Sequence, residues 1–134
     1  MHAFCDFGCM AKILILDDDL DLLSIVKSLL KKKGFDVWTF ANWQKAWESI
    51  KNNKPNLVLL DVFLKGGDGI DVCRKIRSTA STRRMPIIMF SSYPNFAEVA
   101  IHEFGADEFI AKPFELNEMV NKIRNVLSVK SLVN

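Results

Sequence analysis

The sequence predicts an α/β domain built on a doubly wound, five-stranded parallel sheet, and three observations predict it. Short unbroken apolar runs recur along the chain, as in strands buried on both faces. Between them lie longer stretches with apolar residues at helical spacing, and no hairpin signal is read between consecutive runs. The length of 134 residues, with 49% apolar and 25% charged residues, suits one domain with a full core.

Taken in order, Lys12 to Leu16 (KILIL) is the first strand, because polar and apolar residues do not alternate in it. Leu22, Leu23, Val26, Leu29 and Leu30 follow at helix spacing, closed by the basic turn Lys31 to Lys33 and by Gly34 as the cap. Asp36 to Phe40 is the second strand. Asn42 caps the next helix, whose inward stripe is Trp43, Ala46, Trp47 and Ile50. Pro55 and Asn56 punctuate before the third strand, Leu57 to Leu60, which ends at Asp61. A glycine-rich loop, Lys65 to Gly69, opens a helix carried by Ile70, Cys73 and Ile76, which ends in the polar stretch Ser78 to Arg84. Pro86 to Phe90 is the fourth strand. Phe96, Val99, Ala100 and Phe104 give a fourth helix stopped by Gly105, Phe109 to Ala111 a short fifth strand, and Leu116, Met119, Val120, Ile123 and Leu127 the last helix. Right-handed crossovers leave few topologies, and the order 2-1-3-4-5 is the one expected. The few residues after Leu127 carry no further domain in this reading.

Composition narrows the function. Eighteen Lys and Arg against 16 Asp and Glu leave a net charge of +2, which argues against the strongly basic footprint of a nucleic-acid binder. The basic groups Lys31 to Lys33 and Arg74 to Arg84 read as solvated helix ends and loop, Trp38, Trp43 and Trp47 as packing around helix two, and His102 as a surface residue. No apolar run approaches the roughly 18 residues that cross a bilayer, and residues 1–9 lack the layout of a secretion signal. A cytoplasmic location follows as the expectation, and the three cysteines, Cys5, Cys9 and Cys73, fit a reduced compartment. Residues 1–9 are read as a leader, disordered or not native, with residues 10–134 as the domain. Cys5, Cys9 and His2 fall short of the four ligands of a zinc site, and Cys73 reads as a small core residue.

Ligands of an open parallel sheet bind beyond the carboxyl ends of its strands, where the strand order reverses. Those ends carry Asp17, Asp18 and Asp19 on strand one, Asp61 on strand three, Ser91 and Ser92 on strand four, and Lys112 with Pro113 on strand five. Clustered carboxylates repel unless a cation joins them. Mg2+, which takes oxygen ligands and one or two carboxylates, is the natural choice. A lysine and a hydroxyl on the facing wall suit a phosphoryl group, and an Asp carboxylate is a known covalent phosphoryl acceptor.

The motifs ILILDDD (Ile13 to Asp19), LVLLDVFLKGGDG (Leu57 to Gly69), IIMFSS (Ile87 to Ser92) and GADEFIAKPF (Gly105 to Phe114) together resemble the response-regulator receiver domain of two-component signalling, of the stand-alone type. The resemblance implies a flavodoxin-like fold. It also implies Asp61 as phosphoacceptor, with Asp17, Asp18 and Asp61 and the backbone carbonyl of Phe63 holding Mg2+. Ser91 and Lys112 would contact the phosphoryl group, the Lys112–Pro113 bond would be cis, and Phe109 would be the switch aromatic. The implied partners are a sensor histidine kinase or phosphotransfer protein and a downstream effector, with no nucleic acid or membrane. Docking would use the helix-four, strand-five, helix-five face, with Phe96, Ile101, Phe109 and Leu116, and dimerisation on phosphorylation is left open. Such a domain is a switch that takes part only in its own phosphorylation and dephosphorylation, not an enzyme.

Departures from the family pattern are Lys65 where proline is usual, Phe109 in place of tyrosine, and Ser92 in place of alanine. Phe63 and Tyr93 flank the expected reaction centre, and their bulk predicts slowed autodephosphorylation. Asp19 and Asp21 read as helix-capping carboxylates. Ser91 alone would also serve as a cap for the next helix. Alternatives are a phosphorylation-independent interaction module, against which the full set of site residues speaks, and a phosphatase with an aspartyl-phosphate intermediate, which would need an acid where Phe63 stands.

Overall fold

The computed structural model describes residues 10–64 and 67–133. The expectations for the leader, with His2, Cys5 and Cys9, and for Lys65 lie outside the described residues, as does the side chain of Phe63. Strands β1 (Lys12–Leu16), β2 (Asp36–Phe40), β3 (Leu57–Asp61), β4 (Ile87–Ser91) and β5 (Glu108–Ala111) form one parallel sheet. Their order is the expected 2-1-3-4-5. The helices are α1 (Leu20–Lys32), α2 (Trp43–Asn53), α3 (Gly69–Ser78), α4 (Ala97–His102) and α5 (Leu116–Val133).

Period-two alternation along each strand divides the apolar residues into two cores, one per face. Ile13, Ile15, Leu57, Leu59, Ile88, Phe90 and Ile110 pack against α1 and α5. Leu14, Leu16, Val58, Leu60, Ile87, Met89 and Phe109 pack against α2, α3 and α4. Solid runs were therefore the correct strand signal, since both parities are buried.

The caps follow the sequence closely. The Asp19 carboxylate accepts from the Leu22 amide at 3.1 Å and Asn42 from the Lys45 amide at 3.0 Å, so each satisfies a free N–H of the first turn. Gly34 has φ 96°, and the amides of Gly34 and Phe35 bond to the carbonyls of Lys31 and Leu30, the paired closure that a left-handed glycine permits. α2 ends instead on Lys54 at φ 44°, directly before Pro55.

Four features differ from the sequence reading. A two-stranded antiparallel ribbon pairs Phe63–Leu64 with Gly67–Asp68, where no hairpin was expected; it is too short for strand periodicity to register. The fourth helix is a 3-10 turn, Pro94–Phe96, followed by only six α-helical residues. α5 continues to Val133, beyond the apolar stripe, and Lys130 reaches the Asp107 carboxylate at 3.2 Å. Finally, Arg77 is not a solvated loop cation. Its guanidinium donates to the carbonyls of Gly105, Arg83 and Met85 and pairs with Asp107 at 3.1 Å. That carboxylate also accepts the Ile87 amide at 2.9 Å, so one ion pair ties the end of α3 to the starts of β4 and β5.

Other expectations hold. Cys73 is fully buried and donates to the Phe104 carbonyl, and burial pushes its thiol up to about 11. His102 lies exposed beside Glu98. The three tryptophans pack against the α2 and α3 side of the sheet, with lysine ammoniums over their rings.

Candidate functional site

The sheet ladder carries the chain one residue past each strand end and so fixes the site backbone. The Asp17 amide bonds to the Phe40 carbonyl, the Val62 amide to Phe90 and the Lys112 amide to Ser91, at 3.1, 3.1 and 2.8 Å. Strand parity then sorts the side chains. Asp17, Asp61 and Lys112 share the parity of Ile15, Leu59 and Ile110, the face toward α1 and α5, whereas Ser91 and Phe109 share the parity of the opposite core.

One oxygen from each of Asp17, Asp18 and Asp61 lies within 4.8 Å of the others. Asp17 is almost completely buried and Asp61 nearly so. Two bonds orient Asp17: its Oδ1 accepts the Asp19 amide at 2.9 Å and its Oδ2 accepts from Lys112 Nζ at 2.8 Å. The same ammonium stands 3.7 Å from Asp61 Oδ2. A single lysine thus bridges two carboxylates that would otherwise repel each other.

A hard divalent cation fits this donor set, since three carboxylates each bring an oxygen to one small volume. Asp17, Asp18 and Asp61 are the side chains that could hold it. The Phe63 backbone begins the ribbon directly after Val62, adjacent to the cluster in sequence.

The hydroxyl of Ser91, 1% exposed, accepts the Tyr93 amide at 3.1 Å and so shapes the turn into α4. Tyr93 itself is exposed. The Lys112–Pro113 peptide bond is cis. Phe109 is buried in the core beneath α4, and its carbonyl accepts from Lys122 Nζ of α5 at 2.7 Å. Phe96 and Ile101 also lie partly buried against that core, and Leu116 against the other.

Two contributors escaped the sequence reading. Gly69, the first residue of α3, donates its amide to the Val62 carbonyl at 2.9 Å, and a Cβ there would overlap the Asp61 carbonyl. The signal available was a glycine eight residues past the aspartate that ends β3, where backbone approaches backbone. Phe90, opposite Asp61 in the β3–β4 register, places its ring 4.6 Å from Lys112 Nζ. Its position before Ser91, on the parity of Asp61, was the signal.

The response regulator receiver domain matches residues 13–124 of this chain. The DNA-binding response regulator MtrA of Mycobacterium leprae is 36% identical over 114 residues, covering 84% of this chain and 49% of that protein. The chain therefore spans about half the length of such relatives. The solved response regulator receiver domain protein (CheY-like) of Methanospirillum hungatei superposes with a TM-score of 0.84 at 28% identity, over 93% of this chain and 99% of that one. NtrX of Brucella abortus gives 0.82 at 29% identity, over 92% of this chain and 28% of that one.

Proposed function

The chain belongs to the response-regulator receiver family, and from that premise we propose that it is a phosphoacceptor switch in which Asp61 takes a phosphoryl group from a partner's phosphohistidine. The observation that carries the reading is the convergence of Asp17, Asp18 and Asp61 with Lys112 at the carboxyl end of the sheet.

An Asp61 carboxylate oxygen attacks phosphorus, an O–P bond forms, the P–N bond to the donor imidazole breaks, and the leaving nitrogen takes a proton from solvent. Mg2+ bound by Asp17, Asp18, Asp61 and the Phe63 carbonyl would neutralise charge shared between carboxylates and phosphoryl oxygens. This chain's own residues supply positioning. The Asp19 amide holds Asp17 in place, Gly69 sets the height of the Asp61 backbone, and Lys112 offers a point charge already close to Asp61. On phosphorylation Lys112 exchanges Asp17 for a phosphoryl oxygen. Ser91 donates to another oxygen, which pulls on the turn that its hydroxyl now shapes through Tyr93.

That pull changes the packing between α4 and the sheet, where Phe109 is buried, and so reshapes the α4, β5 and α5 face on which an effector docks. The change is a population shift between two packings. Kinase or phosphotransfer protein, effector and a cytoplasmic setting are the partners and place that suit this role. The role itself calls on neither nucleic acid nor membrane; the net charge is +2, and no helix among the described residues is long and apolar enough to cross a membrane.

The test is intact mass after incubation with a small phosphoryl donor, with Mg2+ or with chelator, beside Asp61→Asn. A single Mg2+-dependent phosphoryl adduct that vanishes in the variant is the expected result. A folded protein that forms no adduct overturns the reading and leaves a phosphorylation-independent interaction module.

A further inference from the structure

We propose that Phe90 is a positioning residue for Lys112, its ring serving as a non-competing seat on which the ammonium slides between Asp17 and a phosphoryl group on Asp61. The inference rests on the phosphoacceptor reading and adds to it a residue that no part of that mechanism required.

Three contacts of the Lys112 ammonium among the described residues matter here. Two are carboxylates, Asp17 at 2.8 Å and Asp61 at 3.7 Å. The third is the Phe90 ring, whose centroid lies 4.6 Å from Nζ, inside the range of about 6 Å over which a cation is drawn to an aromatic face. Phe90 is 1% exposed and among the largest fully buried side chains, and the Lys112 side chain is 19% exposed, so the contact is partly shielded from water, which strengthens it. The ring is itself held: Phe114, two residues beyond Lys112, meets it edge-on with centroids 6.4 Å apart, a favoured aromatic geometry. Register sets Phe90 opposite Asp61 on β3 and Ile110 on β5, between the phosphoacceptor strand and the strand that leads into Lys112.

The chemistry of the seat explains why a ring is useful there. A third carboxylate would hold Lys112 still and repel both Asp17 and an incoming phosphoryl group. An aliphatic side chain would offer the partly buried ammonium no attraction of its own, so that leaving Asp17 would cost its best contact before a new one forms. A π face attracts the ammonium without carrying net charge, and its attraction varies gently with position, unlike a directional hydrogen bond. Lys112 can therefore change oxygen partners while remaining seated.

The experiment replaces Phe90 with a series of increasingly fluorinated phenylalanines, which keep nearly the same shape while draining the ring's negative face, and adds Phe90→Leu. Two readouts are taken on the full chain. The first is the rate of adduct formation with a small phosphoryl donor at saturating Mg2+, with denaturant unfolding as the control for folding. The expected result is a stepwise fall along the series, reaching about tenfold, without a matching trend in stability. The second is the proton shift of the Lys112 ε-methylene in the absence of donor, expected upfield from the ring current in the native protein and normal in Phe90→Leu. Flat rates across the series in a protein that forms the adduct would overturn the proposal. So would an unshifted Lys112 methylene in the native protein. If the native protein forms no adduct at all, the phosphoacceptor reading fails, and the role of the ring in phosphoryl transfer fails with it. The methylene shift then decides only whether Phe90 seats the lysine.

Discussion

Replacing Lys112 by methionine should make the protein bind Mg2+ more tightly even as it impairs phosphoryl transfer. In the proposed switch the cation would need the oxygens of Asp17 and Asp61, and Lys112 stands 2.8 and 3.7 Å from them. At an effective dielectric constant of about 20 the gross attraction at the shorter distance is about 6 kcal/mol. Most of this is offset by taking the groups out of water, and a hydrogen bond to a charged group nets about 1.5 to 3 kcal/mol. Removing the competitor should therefore lower the Kd for Mg2+ about 10- to 100-fold, since about 1.4 kcal/mol corresponds to tenfold. Methionine keeps the apolar stem and the contact with the Phe90 ring region, so folding should survive. Isothermal titration calorimetry of native protein and Lys112→Met with MgCl2 gives the comparison directly, and Lys112→Arg, which retains the charge, should stay close to native. Unchanged or weaker Mg2+ binding by a folded Lys112→Met protein would refute the reasoning, because it would mean that the lysine does not occupy the cation's ligands.

Three further outcomes are expected. Arg77→Ala removes the donor to three carbonyls and the partner of Asp107 and should cost about 3 kcal/mol in urea unfolding, an amount typical of breaking a partly buried charged network; Arg77→Lys, lacking the planar fork, should recover little of it. Gly69→Ala drives a methyl into the Asp61 carbonyl, so it should destabilise by about 1 to 3 kcal/mol and slow adduct formation even in the fraction that remains folded, as read by mass at matched folded concentration. Burial holds the Cys73 thiol protonated up to about 11, above its unfolded value of about 8.5. The folded state then binds more protons than the unfolded state between those values, so its contribution to stability is complete below about pH 8.5 and fades as the pH rises toward 11. Unfolding free energies of native protein and Cys73→Ala, measured from pH 8 to 10.5, should converge as the pH rises; parallel curves would show that the thiol does not contribute.

Much of the molecule was legible in one dimension, and the residues show why. β1 falls at the expected residues because a strand buried on both faces needs an uninterrupted apolar run, and β2 also lies where expected although only Val37 in it is buried. Asp19 and Asn42 cap their helices because the chemistry of a cap is local, requiring only an oxygen beside a free amide two or three residues on. The 3-10 turn at Pro94–Phe96 was less legible, since the apolar spacing of Phe96, Val99 and Ala100 serves a short helix as well as a long one. The ribbon at Phe63–Leu64 and Gly67–Asp68 is shorter than any period that could announce it.

The sequence by itself determined the order of elements, the parallel sheet and which residues stand at its carboxyl end, because periodicity, caps and strand termini are local properties of the chain. Tertiary structure alone decided how those residues meet. Lys112 pairs most closely with Asp17, 95 positions away, and not with Asp61. Arg77 finds Asp107 across 30 positions, and Phe90 comes under Lys112 only because β4 lies between β3 and β5. Such contacts depend on register, strand order and side-chain reach taken together. A local pattern records none of the three, and they become fixed only when the two cores close on the sheet.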